Sequence, residues 1–444
     1  MKHKPYKTIG LASMLAGSVA TITPLLPVAA GNGNGNRKFV PVATYDVGGE
    51  AAEIVATTPD GQLLIYTDGE GENIGFLNIT NVIAPTETLQ PVDGGPTSVA
   101  ITPNGHWAIV VVHDGEDVIE LDEDPETPPD EIEPARDYLI AIKLSDMSQT
   151  ILPLGGQPDS VAISPDGRYA AICIENERNE DVDDGLMPQS PPGFLTIVDL
   201  WRGGPGDWTF RNVGFTGLPM RFPTDPEPEF VDINRHNLAA VTLQENNHIV
   251  IVNLANGAIV SNFSAGTTTH VADLEDDDVI RFNDQLRNAR LEPDAIAWTP
   301  AGSLITANEG DYDLDLAEGE FVGGRNWTIF STNGRVLHDS GGHLEMAAAR
   351  EGLYPDGRSD AKGAEFEGVE VGTFGGNVHV FIGAERGSFV GVYELKNNDH
   401  ATPRLLQILP TGDRPEGLLA IPQRNLFATS NEGDGTISVF SYQP

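Results

Sequence analysis

One unit recurs seven times along this chain, and no other feature limits its fold so strongly. The unit is a Pro-acid step, a short apolar strand, a Thr/Ser-Pro-x-Gly turn, a second apolar strand closed by an acid, and a third strand. Its clearest copies start at Thr97, Pro158 and Pro293, and looser ones start at Glu53, Glu229, Glu367 and Glu416. In the copies before the last, a fourth strand follows and ends in glycine, as at Gly155-Gly156, Gly266 and Gly412. Short apolar runs bounded by Gly, Pro and Asp read as strands. The one short helical pattern runs from His343 to Arg350. Seven four-stranded units of roughly 58 residues over 38–444 predict an all-β chain, a seven-bladed β-propeller.

The seventh copy stops after its third strand, at Pro444. The stretch Phe39–Gly49 has the pattern of the missing fourth strand. An N-terminal strand completing the last blade would leave the ring no open edge. The expected domain is therefore 38–444. Ahead of it, residues 31–37 read as a flexible Gly/Asn spacer. Residues 1–30 read as a signal peptide: Lys2, Lys4 and Lys7, an apolar run from Ile9 to Ala20, and small residues at Val28-Ala29-Ala30. Thr21, Thr23 and Pro24 interrupt the apolar run before it reaches spanning length. No later segment is apolar enough to cross a bilayer, so the expectation is a secreted protein, periplasmic or extracellular.

Charge narrows the partners. Lys and Arg number 26 against 66 Asp and Glu, a formal net charge of −40. A nucleic-acid binder needs a basic face, and this chain repels phosphate backbones. Anionic membranes are equally poor partners. The 39% hydrophobic content argues against disorder. Glu116–Glu133 and Glu177–Asp184 read as solvated acidic loops. Cys173, the single cysteine, sits in the apolar run Ala170–Ile174 and reads as a small core residue.

The repeat sorts acids into two columns. One opens the innermost strand: Glu53, Asp159, Glu229, Asp294, Glu367 and Glu416, with Thr97 as the exception. The other closes the second strand: Asp68, Asp114, Glu175, Glu245, Glu309, Glu385 and Glu432. In a propeller both lie on the face that also carries the long insertions: 114–137, 176–193, 201–228, 266–293, 310–326 and 338–366. So many carboxylates in one mouth require cations or raised pKa values. Hard cations such as Ca²⁺ take oxygen ligands, and Asn176, Asn308 and Asn431 add amide oxygens nearby. The plainer reading is structural: such acids accept backbone N–H bonds at turns and tie blades together. No formal calcium loop is present, since Asp311–Asp315 has Leu316 and Val322 where Gly and Glu belong. His338 and His343 are a weak metal signal. No GxSxG, phosphate-binding loop or CxxC occurs, so no organic cofactor is expected.

Four cations stand out against the acidic background: Arg358, Lys362, Arg386 and Arg414. Beside carboxylates they suit an oxyanion or another ligand, or else balance charge within an acidic rim.

The repeat resembles the YVTN-type propellers of exported and surface-layer proteins. The second half is similar to the choice-of-anchor I family, related to phytase-like and alkaline-phosphatase-like propellers. Matching segments include Ala307–Tyr312, Gly357–Gly363, Glu367-Gly368-Val369, Gly383–Arg386 and Arg414–Leu418. Ala361, Ala364 and Phe366 replace an acid and two prolines of the family pattern, whereas Lys362, Glu365 and Glu367 are kept. Two functions follow. The first is an exported propeller that binds a small molecule, glycan or protein on its acidic face, with a divalent cation. The second, implied by the resemblance, is a Ca²⁺-dependent phosphoesterase. The candidate metal residues are Asp294, Glu309, Glu367, Glu385, Glu416 and Glu432. Arg358, Lys362, Arg386 and Arg414 are the candidate anion or ligand residues.

Overall fold

The computed structural model describes residues 21–23, 38–114, 137–175, 187–313, 320–395 and 402–444. The acidic stretches 116–133 and 177–184 lie outside them. Seven antiparallel sheets form the blades, six of them four-stranded and paired in sequence order and the last completed by N-terminal strands. Blade 1 holds Val55–Thr57, Leu63–Asp68, Asn73–Asn78 and Thr86–Pro91. Blades 2 to 6 open at Gly95–Ile101, Pro158–Ile163, Pro228–Ile233, Pro293–Trp298 and Val369–Phe374. Blade 7 joins Pro415–Ile421, Leu426–Asn431 and Thr436–Tyr442 to Phe39–Asp46, the N-terminal strand. The expected propeller and its closure are both present.

Turns of one type connect the first two strands of blades 1, 2, 3 and 5. In Ser164-Pro165-Asp166-Gly167 the Gly167 N–H donates to Ser164 O at 2.8 Å, and Asp166 Oδ1 accepts from Arg168 N at 3.1 Å. Proline presets the first turn dihedral, and Gly167 takes φ +69° without strain. Such turns keep one face of the ring short.

The core is a ring of sandwiches between neighbouring blades. Tyr169, Ala171, Cys173, Leu195 and Ile197 of blade 3 meet Val231, Ile233, Ala239 and Val241 of blade 4. Cys173 is fully buried, as its apolar run predicts. The closing strand is fixed by similar means. Phe39 is fully buried, edge-on to Phe374 at 5.1 Å and Phe381 at 5.2 Å. Gln407 Oε1 accepts from Lys38 N at 2.8 Å and Phe39 N at 2.9 Å, and its Nε2 donates to Phe39 O at 3.0 Å. Thr21–Thr23, within the segment read as a signal peptide, pairs with the outer edge at Thr44–Asp46.

The insertions differ from expectation in one place. Residues 201–228 are not a single loop on the elaborated face. Leu200–Asp207 form two 3-10 turns that join the third and fourth strands on the short-turn face, and Thr209–Gly214 is the fourth strand itself. A run rich in Gly and Pro hides a strand whose apolar side chains are few. The 266–293 insertion folds as a hairpin, Thr267–Ala272 with Asp284–Arg290. Residues 338–366 contain α1, His343–Glu351, the one α-helix among the described residues, capped by Gly352 in the left-handed region.

Candidate metal centre at the channel mouth

A register shift at the Pro-acid step aims the first column of acids. The inner strand of blade 3 pairs Pro158 with Ile174 and then Val161 with Ile172, which leaves Asp159 and Ser160 opposite one residue. Blades 4, 5 and 7 shift identically, after Pro228, Pro293 and Pro415. Proline opens an edge strand at no cost in ladder bonds, and the bulge re-aims the next side chain. Asp159, Asp294 and Glu416 thereby line a central cavity of about 400 Å³; Glu367, on blade 6 where no such shift occurs, and Asp232 and Glu370 are also on its wall.

Two acid columns converge where blades 5 and 6 meet. One carboxylate oxygen each from Asp294, Glu309 and Glu367 lies within 4.8 Å of the others, and Glu365, Glu367 and Glu385 form a second such trio. Glu367 belongs to both. Glu416 and Glu432 join no such trio among the described residues. The four cations all sit against these acids. Lys362 Nζ is 2.5 Å from Glu309 and 3.5 Å from Glu365. Arg358 bonds Glu365 at 2.9 Å, and Arg386 lies 3.3 Å from Glu365 and 3.1 Å from Glu385. Arg414 pairs with Glu432 at 3.1 Å. The second trio is thus met by two guanidiniums and the first by the Gln244 amide, which donates to Glu309, while the Lys362 ammonium touches both.

Burial governs the electrostatics. It pushes Asp294 and Glu367 well above the usual carboxylate range, and repulsion from Glu309 adds to both. Glu416 rises through burial and then Glu53 and Glu432. Glu53 is pushed up to about 7, mainly by burial. Glu385 rises for the same first reason, with Arg386 opposing. Groups this crowded retain protons unless a cation replaces them.

For other acids the plainer reading holds. Asp68 accepts from Ala51 N and Gly71 N, both at 2.9 Å, and caps a loop. Asp232 accepts from Trp298 N at 2.7 Å and ties blade 4 to blade 5. Thr97, the column's exception, donates to Pro158 O at 2.8 Å, another tie between blades. His338 packs against the Trp327 ring.

The candidate set omits the residues that hold it together. Arg325, fully buried, bonds Glu345 of α1 at 3.1 Å. Its other nitrogens donate to Asp273 O and Ser359 O, each at 3.1 Å, and to the Tyr354 hydroxyl at 2.7 Å. Glu345 in turn accepts from Ala364 N at 3.1 Å. The loop bearing Arg358, Lys362 and Glu365 is therefore pinned at Ser359 and Ala364. Arg325, Glu365 and Arg414 all have positive φ, a strain that surrounding contacts must sustain. Glu365 is visible in sequence as an acid two residues before Glu367; Arg325 carries no repeat signal.

The comparisons match this architecture. A family model described as "Choice-of-anchor I domain" matches residues 53–322 and 315–398. A search of curated proteins gives no match. Among solved structures, the hydrazine synthase of Kuenenia stuttgartiensis aligns with a TM-score of 0.58 and 14% identity over 89% of this chain and 96% of that one. The Cps50 (Swd1) β-propeller domain of Myceliophteria thermophila gives 0.52 and 9%, over 91% and 100%. The RRP9 WD40 repeats give 0.58 and 7%, over 92% and 100%. At these identities the likeness is one of fold.

Proposed function

The chain belongs to the choice-of-anchor I domain family, and from that premise we propose that it is an exported propeller whose channel mouth takes up a divalent cation and uses it to bind a ligand. The observation that carries this reading is the convergence of Asp294, Glu309 and Glu367, an all-oxygen set that suits Ca²⁺. Two of the three are held well above the usual carboxylate range when no cation is present. A cation there displaces the retained protons and offers its remaining positions to ligand oxygens. Lys362 stands 2.5 Å from Glu309, placed to accept a negative group of the same ligand. The N-terminal basic and apolar segment supports export. Among the described residues no helix is long and apolar enough to cross a membrane.

Calcium titration of the chelated protein tests the proposal. Ca²⁺ is expected to raise the melting temperature, and Asp294→Asn or Glu367→Gln to weaken binding at least tenfold. A melt indifferent to both Ca²⁺ and chelator overturns it.

The cations on blades 6 and 7 favour a second reading, a metal-dependent phosphoesterase. Arg358 and Arg386 both reach Glu365, so a phosphate arriving there competes with that carboxylate for two guanidiniums. A metal would lower the pKa of the attacking water. Ca²⁺-dependent turnover of a simple phosphomonoester or phosphodiester, lost in Glu367→Gln, favours this reading. Stabilisation by Ca²⁺ without turnover favours the first.

A further inference from the structure

We propose that the junction of blades 3 and 4 forms a second, separate divalent-cation site from Glu175, Glu229 and Glu245. One carboxylate oxygen of each lies within 4.8 Å of the other two. Two oxygens bound to one Ca²⁺ at 2.3–2.6 Å stand at most about 5 Å apart, so a single ion bridges all three with small rotamer changes. The residues are drawn from the same two acid columns as the first site in a different combination, one inner-strand opener and two second-strand closers. Glu229 opens an inner strand at its bulge, Glu245 follows the next strand, and Glu175 follows the second strand of the neighbouring blade.

An independent observation points to a ligand. The Glu229 side chain is partly exposed, but its Oε2 is sealed from solvent with no donor within hydrogen-bond reach. A buried carboxylate oxygen left without a partner is costly, and a cation between the three acids supplies that partner. The first site borders this one, because Gln244 donates to Glu309 while the next residue, Glu245, belongs to the second trio.

Terbium luminescence and Ca²⁺ calorimetry on the full chain, after chelation and dialysis, test the proposal. Two cations per chain are expected. Glu229→Gln should leave one, retained at the blade 5/6 junction, and Asp294→Asn should leave the one bound by Glu229. A stoichiometry unchanged by Glu229→Gln overturns the second site. So does a wild-type stoichiometry of one that Asp294→Asn abolishes. Binding lost in Glu229→Gln but untouched by Asp294→Asn upholds it and removes the first site instead. Should Glu229→Gln fold poorly, Glu245→Gln with a thermal melt gives the same readout.

Discussion

At the scale of single residues, the channel-mouth acids set a pH dependence of definite sign. A carboxyl whose folded pKa lies above its unfolded value contributes stability at low pH that is lost as pH rises through the folded pKa. Glu53, pushed up to about 7, and Glu370, pushed up to about 8, place that loss between about pH 5 and 8. Asp294, Glu367 and Glu416 shift in the same direction. In chelator the protein should therefore melt at higher temperature at pH 5.5 than at pH 8. With Ca²⁺ the gap should narrow, because a bound cation stabilises the ionised forms. Thermal melts at the two pH values, with and without Ca²⁺, check this; a higher melting temperature at pH 8 in chelator contradicts it. All of these but Glu370 were legible in sequence, because each occupies a fixed position in the repeat; Glu370 lies outside both acid columns. Which of them converge was not legible: Asp294 and Glu367 belong to different blades, 73 positions apart.

At the scale of elements, the insertion between blades 5 and 6 is held by one buried node. Arg325 lies on Glu320–Phe330, Glu345 on α1, and Ser359 and Ala364 on the loop that follows. Removing one partner of a buried pair leaves the other charge unmatched, at a cost of about 3–5 kcal/mol. Glu345→Gln should lose less, since the amide oxygen still accepts from Ala364 N. Gly363 is fixed by the same node. Its φ is +62°, and a Cβ there would lie 1.9 Å from Arg325 and 2.2 Å from Glu345. Gly363→Ala should thus destabilise the insertion and raise hydrogen exchange over 353–366 far more than in the blades. Uniform exchange across the chain would refute a local node. Sequence reading found α1 from its apolar spacing, but a lone arginine in a strand offers no pattern from which a buried partner can be inferred.

At the scale of the whole molecule, ring closure couples the first residues to the last. Phe39–Asp46 pairs with Thr436–Tyr442, and Phe39 fills a pocket of aromatic rings. Phe→Ala at a fully buried site costs about 3–5 kcal/mol. Deleting residues through Asp46 also exposes the edge of the last blade. The truncated protein should melt well below the full chain and aggregate; an unchanged melting temperature would refute closure as a source of stability.

Blade number, strand order, the closing strand and the face that gathers the acids can all be read from the order of residues. These follow from local pattern, since strand period, turn residues and repeat length act over a few dozen positions. Which carboxylates come together, which cations meet them, and that Arg325 secures the loop between emerge with the folded chain. Those outcomes depend on how neighbouring blades dock and how the insertions fold back over them. Such contacts join residues far apart in sequence, and no short-range pattern encodes their geometry.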